Sequence, residues 1–160
     1  MDAPLKILHA DATLVAGEAG NLLLAVWWDA PSSTQMDVVA RAAAGVDRRY
    51  RGGSAFAQFV ITGTPRFSSD VRRKAQEMSG KYSDLGVAHI IEVGGLAGSA
   101  ARAFLSALIL IARDETPVRV FSNAQEGAAW LTHQLGGERE GWSVARILSL
   151  RREAVDARRP

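Results

Sequence analysis

Apolar residues recur along the chain at two spacings, and the changes between them fall at glycine, proline and serine. Residues 5–15 read as a strand and residues 22–28 as a second one. Between them Ala16-Gly17-Glu18-Ala19-Gly20-Asn21 reads as a short turn, which predicts an antiparallel hairpin. Ser32 and Gln35 then have capping-box spacing, and Met36, Val39, Ala40, Ala43 and Val46 share one helical face. A third strand is expected over 55–62. Ser68 or Ser69 opens a second helix with Val71, Ala75, Met78, Tyr82 and Leu85 as its apolar stripe. A fourth strand follows over 87–93, nearly continuous in apolar residues, as in a strand covered on both faces. Gly94-Gly95-Leu96-Ala97-Gly98 leads to Ser99 as the cap of a third helix running to about residue 112. Residues 117–121 form a fifth strand. Ser122 and Gln125 repeat the capping-box spacing before a fourth helix to 135, and a last helix covers 142–157.

This order, ββαβαβαβα with one appended helix, predicts an α/β protein: a mixed five-stranded sheet with right-handed crossovers and packed helices. Residues 1–135 are read as one domain and 136–160 as a helical extension with a basic tail. The chain has 160 residues with 19 basic and 17 acidic side chains. Residues 1–135 hold 13 of each, so the tail carries the whole net charge of +2. A balanced body does not grip phosphates, and no nucleic-acid partner is expected. Absence of cysteine excludes a disulfide scaffold, a thiolate metal centre and a cysteine nucleophile. It also fits a cytoplasmic address. Asp2 and Pro4 stand where a signal peptide would carry positive charge and then an apolar run. The longest apolar stretch, 103–112, is about half the roughly 20 residues that cross a bilayer, so no transmembrane segment is expected.

The third helix changes this plain picture, because it is apolar on nearly every side where a helix on a sheet needs one stripe. Phe104, Leu105, Leu108 and Ile111 are its candidate interface residues. Their cover is the C-terminal helix near 142–150, a protein partner or second copy of the chain, or a lipid-like ligand. Arg66, Arg72 and Arg73 follow the third strand, at the carboxyl end where open α/β sheets place ligands, and form a candidate partner- or anion-binding edge. Arg73 and Glu77 also have the spacing of a helical ion pair. The turn 94–99 fits no nucleotide-loop pattern and reads as a tight connection. His9, His89 and His133 lie on different elements without metal-ligand spacing, so neither metal nor cofactor is expected. His89 reads as a hydrogen-bonded strand residue. Glu92, near the end of the same strand, has no evident base or nucleophile beside it, and no catalytic residue is assigned. Of Trp27 and Trp28, one is expected in the core and the other towards the opposite layer or solvent.

Two short motifs carry a family resemblance. Phe67-Ser68-Ser69-Asp70-Val71 stands after the third strand, and Phe121-Ser122-Asn123-Ala124-Gln125-Glu126 leads to Ala129-Trp130-Leu131. With the element order, these make residues 5–135 resemble the STAS domain, in its SpoIIAA-like branch. The resemblance implies a phosphoacceptor at Ser68, with Ser69 beside it. A phosphate there would meet a helix N-terminus and nearby arginines. Phe67 replaces the family aspartate, however, and Asp70, in place of the family glycine, would repel a phosphate. The resemblance further implies a non-enzymatic regulatory or adaptor domain of bacterial signalling, acting by protein–protein contact as a partner switch. A carrier of a small apolar, lipid-like ligand is the alternative. A cavity of several hundred Å³ between sheet and third helix would favour the carrier, and a flat apolar face buried by a second copy would favour the adaptor.

Overall fold

Strands covered on both faces must be apolar at successive positions, and β2 (Leu14–Ala19) and β3 (Leu22–Trp27) are buried at every one. They follow β1 (Lys6–Ala10) and precede α1 (Ser33–Arg49), β4 (Ala55–Val60), α2 (Ser69–Met78), β5 (Gly86–Ile91), α3 (Gly95–Ala112), β6 (Val118–Phe121), α4 (Ala124–Gln134) and α5 (Val144–Asp156). This computed structural model describes residues 3–63, 67–112 and 115–160, and their side chains apart from 111 and 112. The sheet has six strands in sequence order, antiparallel from β1 to β3 and parallel from β3 to β6.

Each crossover from β3 to β6 steps the same way, so right-handed connections put α1, α2 and α3 on one face. The opposite face belongs to α4 and α5. Alternation sorts the side chains: Leu22, Leu24 and Val26 of β3 join Leu131, Ile147 and Leu150 in one core, whereas Leu23, Ala25 and Trp27 join Val39, Ala43 and Val46 in the other.

The α/β class stands, but the sheet has six strands and not five. What reads as one strand over 5–15 is a hairpin, closed where Asp11 Oδ1 accepts the N–H groups of Thr13 (2.7 Å) and Leu14 (2.8 Å). An aspartate turn needs no glycine. The expected turn at 16–21 shrinks to Gly20-Asn21, and Gly17 lies inside β2 because Leu5 packs where its Cβ would be. The capping box of α1 is present, Ser32 Oγ accepting from Gln35 N–H at 3.1 Å and Gln35 Oε1 accepting from Ser32 N–H at 3.0 Å. By contrast, α3 starts at Gly95 and not after a Ser99 cap, and Asn123, not Ser122, caps α4 through Glu126 N–H at 2.9 Å.

The C-terminal helix does not cover α3. It packs on the other side of the sheet beside α4, burying Ile147, Leu150 and Ala154. Arg151 ties it down, Nε and Nη2 donating to Glu92 Oε2 at 3.1 and 2.8 Å. The outer face of α3 is therefore left open, with Leu96 90% and Leu110 79% exposed.

Candidate functional site

On the α1–α3 face, alternation aims Phe56, Gln58 and Val60 of β4 and Val87, His89 and Ile91 of β5 towards the helices. In most α/β layers the helix above would fill that surface. Here α2 does not, because its sequence holds few large apolar residues and only Val71 is buried. It lies along α1, fastened by the Lys74–Asp37 ion pair and by Lys74 Nζ donating to Ser33 O at 3.4 Å. Beside it, α3 reaches the sheet through Leu105 and Ile109. Phe67, just ahead of α2, stacks on Phe104 of α3 with centroids 5.9 Å apart and so joins the two roof helices. Between roof and strands lies a cavity of about 550 Å³. Sites for small organic molecules occupy roughly 300–1,000 Å³.

Its lining is mostly apolar, but about a third of the described residues on it are polar. On the floor, Gln58 and His89 are register partners on adjacent parallel strands, with Gln58 Nε2 and His89 Nδ1 3.5 Å apart. Burial lowers the His89 pKa to about 4, so the ring is neutral at pH 7. Asp29, Arg72 and Tyr82 are the other titratable side chains on the lining. Arg72 is exposed and has no ion-pair or hydrogen-bond partner among the described residues.

The structure separates the residues singled out from sequence. Ser68 Oγ caps α2 by accepting Val71 N–H at 3.2 Å, and Ser69 is the exposed first residue of that helix. Arg66 lies outside the described residues. Arg73 faces two carboxylates, Asp70 at 3.5 Å and Glu77 at 3.9 Å, while Arg72 lines the cavity. Leu105 and Leu108 also line it, Phe104 is 39% exposed, and the Ile111 side chain lies outside the described residues. Glu92 is not alone, being held by Arg151. Trp27 joins the floor, and Trp28 lies in the other layer with the Arg158 guanidinium 4.7 Å from its ring. Gln58 escaped the sequence reading. Its signal is one polar residue in each of two apolar strands, which becomes a pair only when the register is known.

Among the described residues, no three His, Asp or Glu side chains gather into a metal-binding group, and no helix is long and apolar enough to cross a membrane. No family model matches the chain, and neither does any curated protein or solved structure.

Proposed function

We propose that the protein carries a small apolar molecule between its sheet and the α2–α3 roof. The cavity supports this reading. At about 550 Å³ it lies within the range of roughly 300–1,000 Å³ that small organic molecules occupy. The mostly apolar walls offer water few partners over much of their area, and an apolar guest satisfies that area better. The SpoIIAA-like resemblance belongs to the same proposal, supported by the strand–helix alternation from β3 to α4 and by the Ser68 cap at the start of α2.

Titration with N-phenyl-1-naphthylamine, whose fluorescence rises in apolar surroundings, tests the reading. Saturable binding near one molecule per chain is expected. Leu105→Trp, which fills the cavity beneath α3, is expected to weaken it at least tenfold while the far-ultraviolet circular dichroism stays unchanged. Equal binding by the filled variant, or none by the wild type, removes the proposal. A second reading, contact with another protein chain, is supported by the open outer face of α3.

A further inference from the structure

The floor of the cavity holds more chemistry than an apolar guest requires. Gln58 and His89 sit side by side on neighbouring strands, and beyond their 3.5 Å approach to each other neither side chain has a partner among the described residues. Both side chains are half-buried, and a polar group covered by a guest without gaining a partner is costly, so two together define what must meet them. A neutral imidazole has one donor and one acceptor nitrogen, and a carboxamide has both kinds of atom. If the amide N–H donates to Nδ1, the ring presents Nε2–H as a donor and the amide oxygen stays an acceptor. If the amide is turned over, its oxygen accepts from Nδ1–H, Nε2 becomes the acceptor and the NH₂ supplies the donors. Either way the pair offers at least one free donor and one free acceptor. Burial keeps the ring neutral at pH 7, so the complement holds there.

We infer that the carried molecule is an apolar alcohol whose hydroxyl, donor and acceptor in one atom, seats on Gln58 and His89. This rests on the carrier reading above and adds the head group. A carboxylate only accepts and would leave the pair's acceptor bare, whereas an ammonium only donates and would leave the donor bare. Among the described residues, the one unpaired cation on the lining, Arg72, is exposed, where attraction for an anion is screened.

Displacement of N-phenyl-1-naphthylamine at pH 7 by 1-dodecanol and by its isomer 1-methoxyundecane tests the assignment. The two have the same atoms, but the ether cannot donate. The alcohol is expected to bind about tenfold more tightly, the worth of the one hydrogen bond that the ether cannot donate. Gln58→Leu and His89→Phe are each expected to erase most of the alcohol's preference over the ether. Equal affinities for alcohol and ether in the wild type would show that water satisfies the pair and would overturn the inference. Tighter binding of dodecanoate than of dodecanol would place the head at Arg72 and overturn it too. In both of these outcomes the cavity still binds chains and the carrier reading survives. Failure of every chain to displace the probe removes the carrier reading itself.

Discussion

At the scale of single residues, His89 makes the protein's stability depend on pH. Burial holds its pKa at about 4 in the folded chain, against about 6.5 for an ordinary histidine. Between those values the unfolded chain binds a proton that the folded one refuses. Stability therefore falls as pH drops through that window and is flat above it with respect to this group. The loss is of the order of 3 kcal/mol if solvent in the cavity screens nothing, and smaller in so far as it does. Asp11 acts elsewhere on the scale. Burial raises its pKa, but hydrogen bonds from His9, Thr13, Leu14 and Gln35 outweigh that and hold the carboxyl well below its usual range. Its contribution is present above the ordinary carboxylate pKa and is lost only in stronger acid, below the His89 window. Urea unfolding midpoints at pH 7.5, 6 and 5 are expected to fall for the wild type and to fall less for His89→Gln. That variant keeps a hydrogen-bonding head and removes the titration. Parallel curves for the two proteins would show that the ring is not enclosed.

Among the elements, α3 owes its place to a glycine. A Cβ on Gly98 would overlap the carbonyl of Val93, so the first turn of the helix lies directly on the chain leaving β5. The backbone there is ordinary, and alanine would favour the helix by about 1 kcal/mol. The clash is with backbone, which cannot turn aside. Gly98→Ala is expected to lose about 1–3 kcal/mol net, read as a lower urea midpoint at unchanged slope. An unchanged midpoint would mean that α3 can slide outward at no cost. The same glycine shows what a sequence discloses and what it hides. α1 was readable because Ser32, Gln35 and its apolar stripe each act within a few residues. The break between β1 and β2 was not, since Asp11 turns the chain with a side chain that elsewhere marks nothing. Gly98 looked like part of a loop, although its smallness serves packing inside a helix. The cavity was least legible. It depends on the height of α2 above the sheet and on the register that sets Gln58 beside His89, and both are tertiary facts.

Over the whole molecule, the two faces of the sheet are treated differently. α4 and α5 close one face down to residues with no exposed surface, including Leu131 and Ile147. The other carries a hollow, and its outermost helix is apolar outside as well as in. Leu96, Ala100, Ala103, Ala107 and Leu110 are all exposed and follow spacings of four, three, four and three residues. That spacing draws one line along a helix of 18 residues, about 27 Å long. It is the line on which helices pair, and alanines at its middle let two backbones come close. A net charge of only +2 gives little repulsion between copies. If the second reading of function holds and the partner is the chain itself, light scattering will give a mass that rises towards the dimer with concentration. Leu110→Glu will then stay monomeric at every concentration. Because Leu110 is absent from the cavity lining, N-phenyl-1-naphthylamine should bind this variant as it binds the wild type. Loss of the dimer with retained probe binding would separate docking outside α3 from carriage inside it. A wild type that remains monomeric throughout would remove self-docking and leave the hollow as the functional feature of this face.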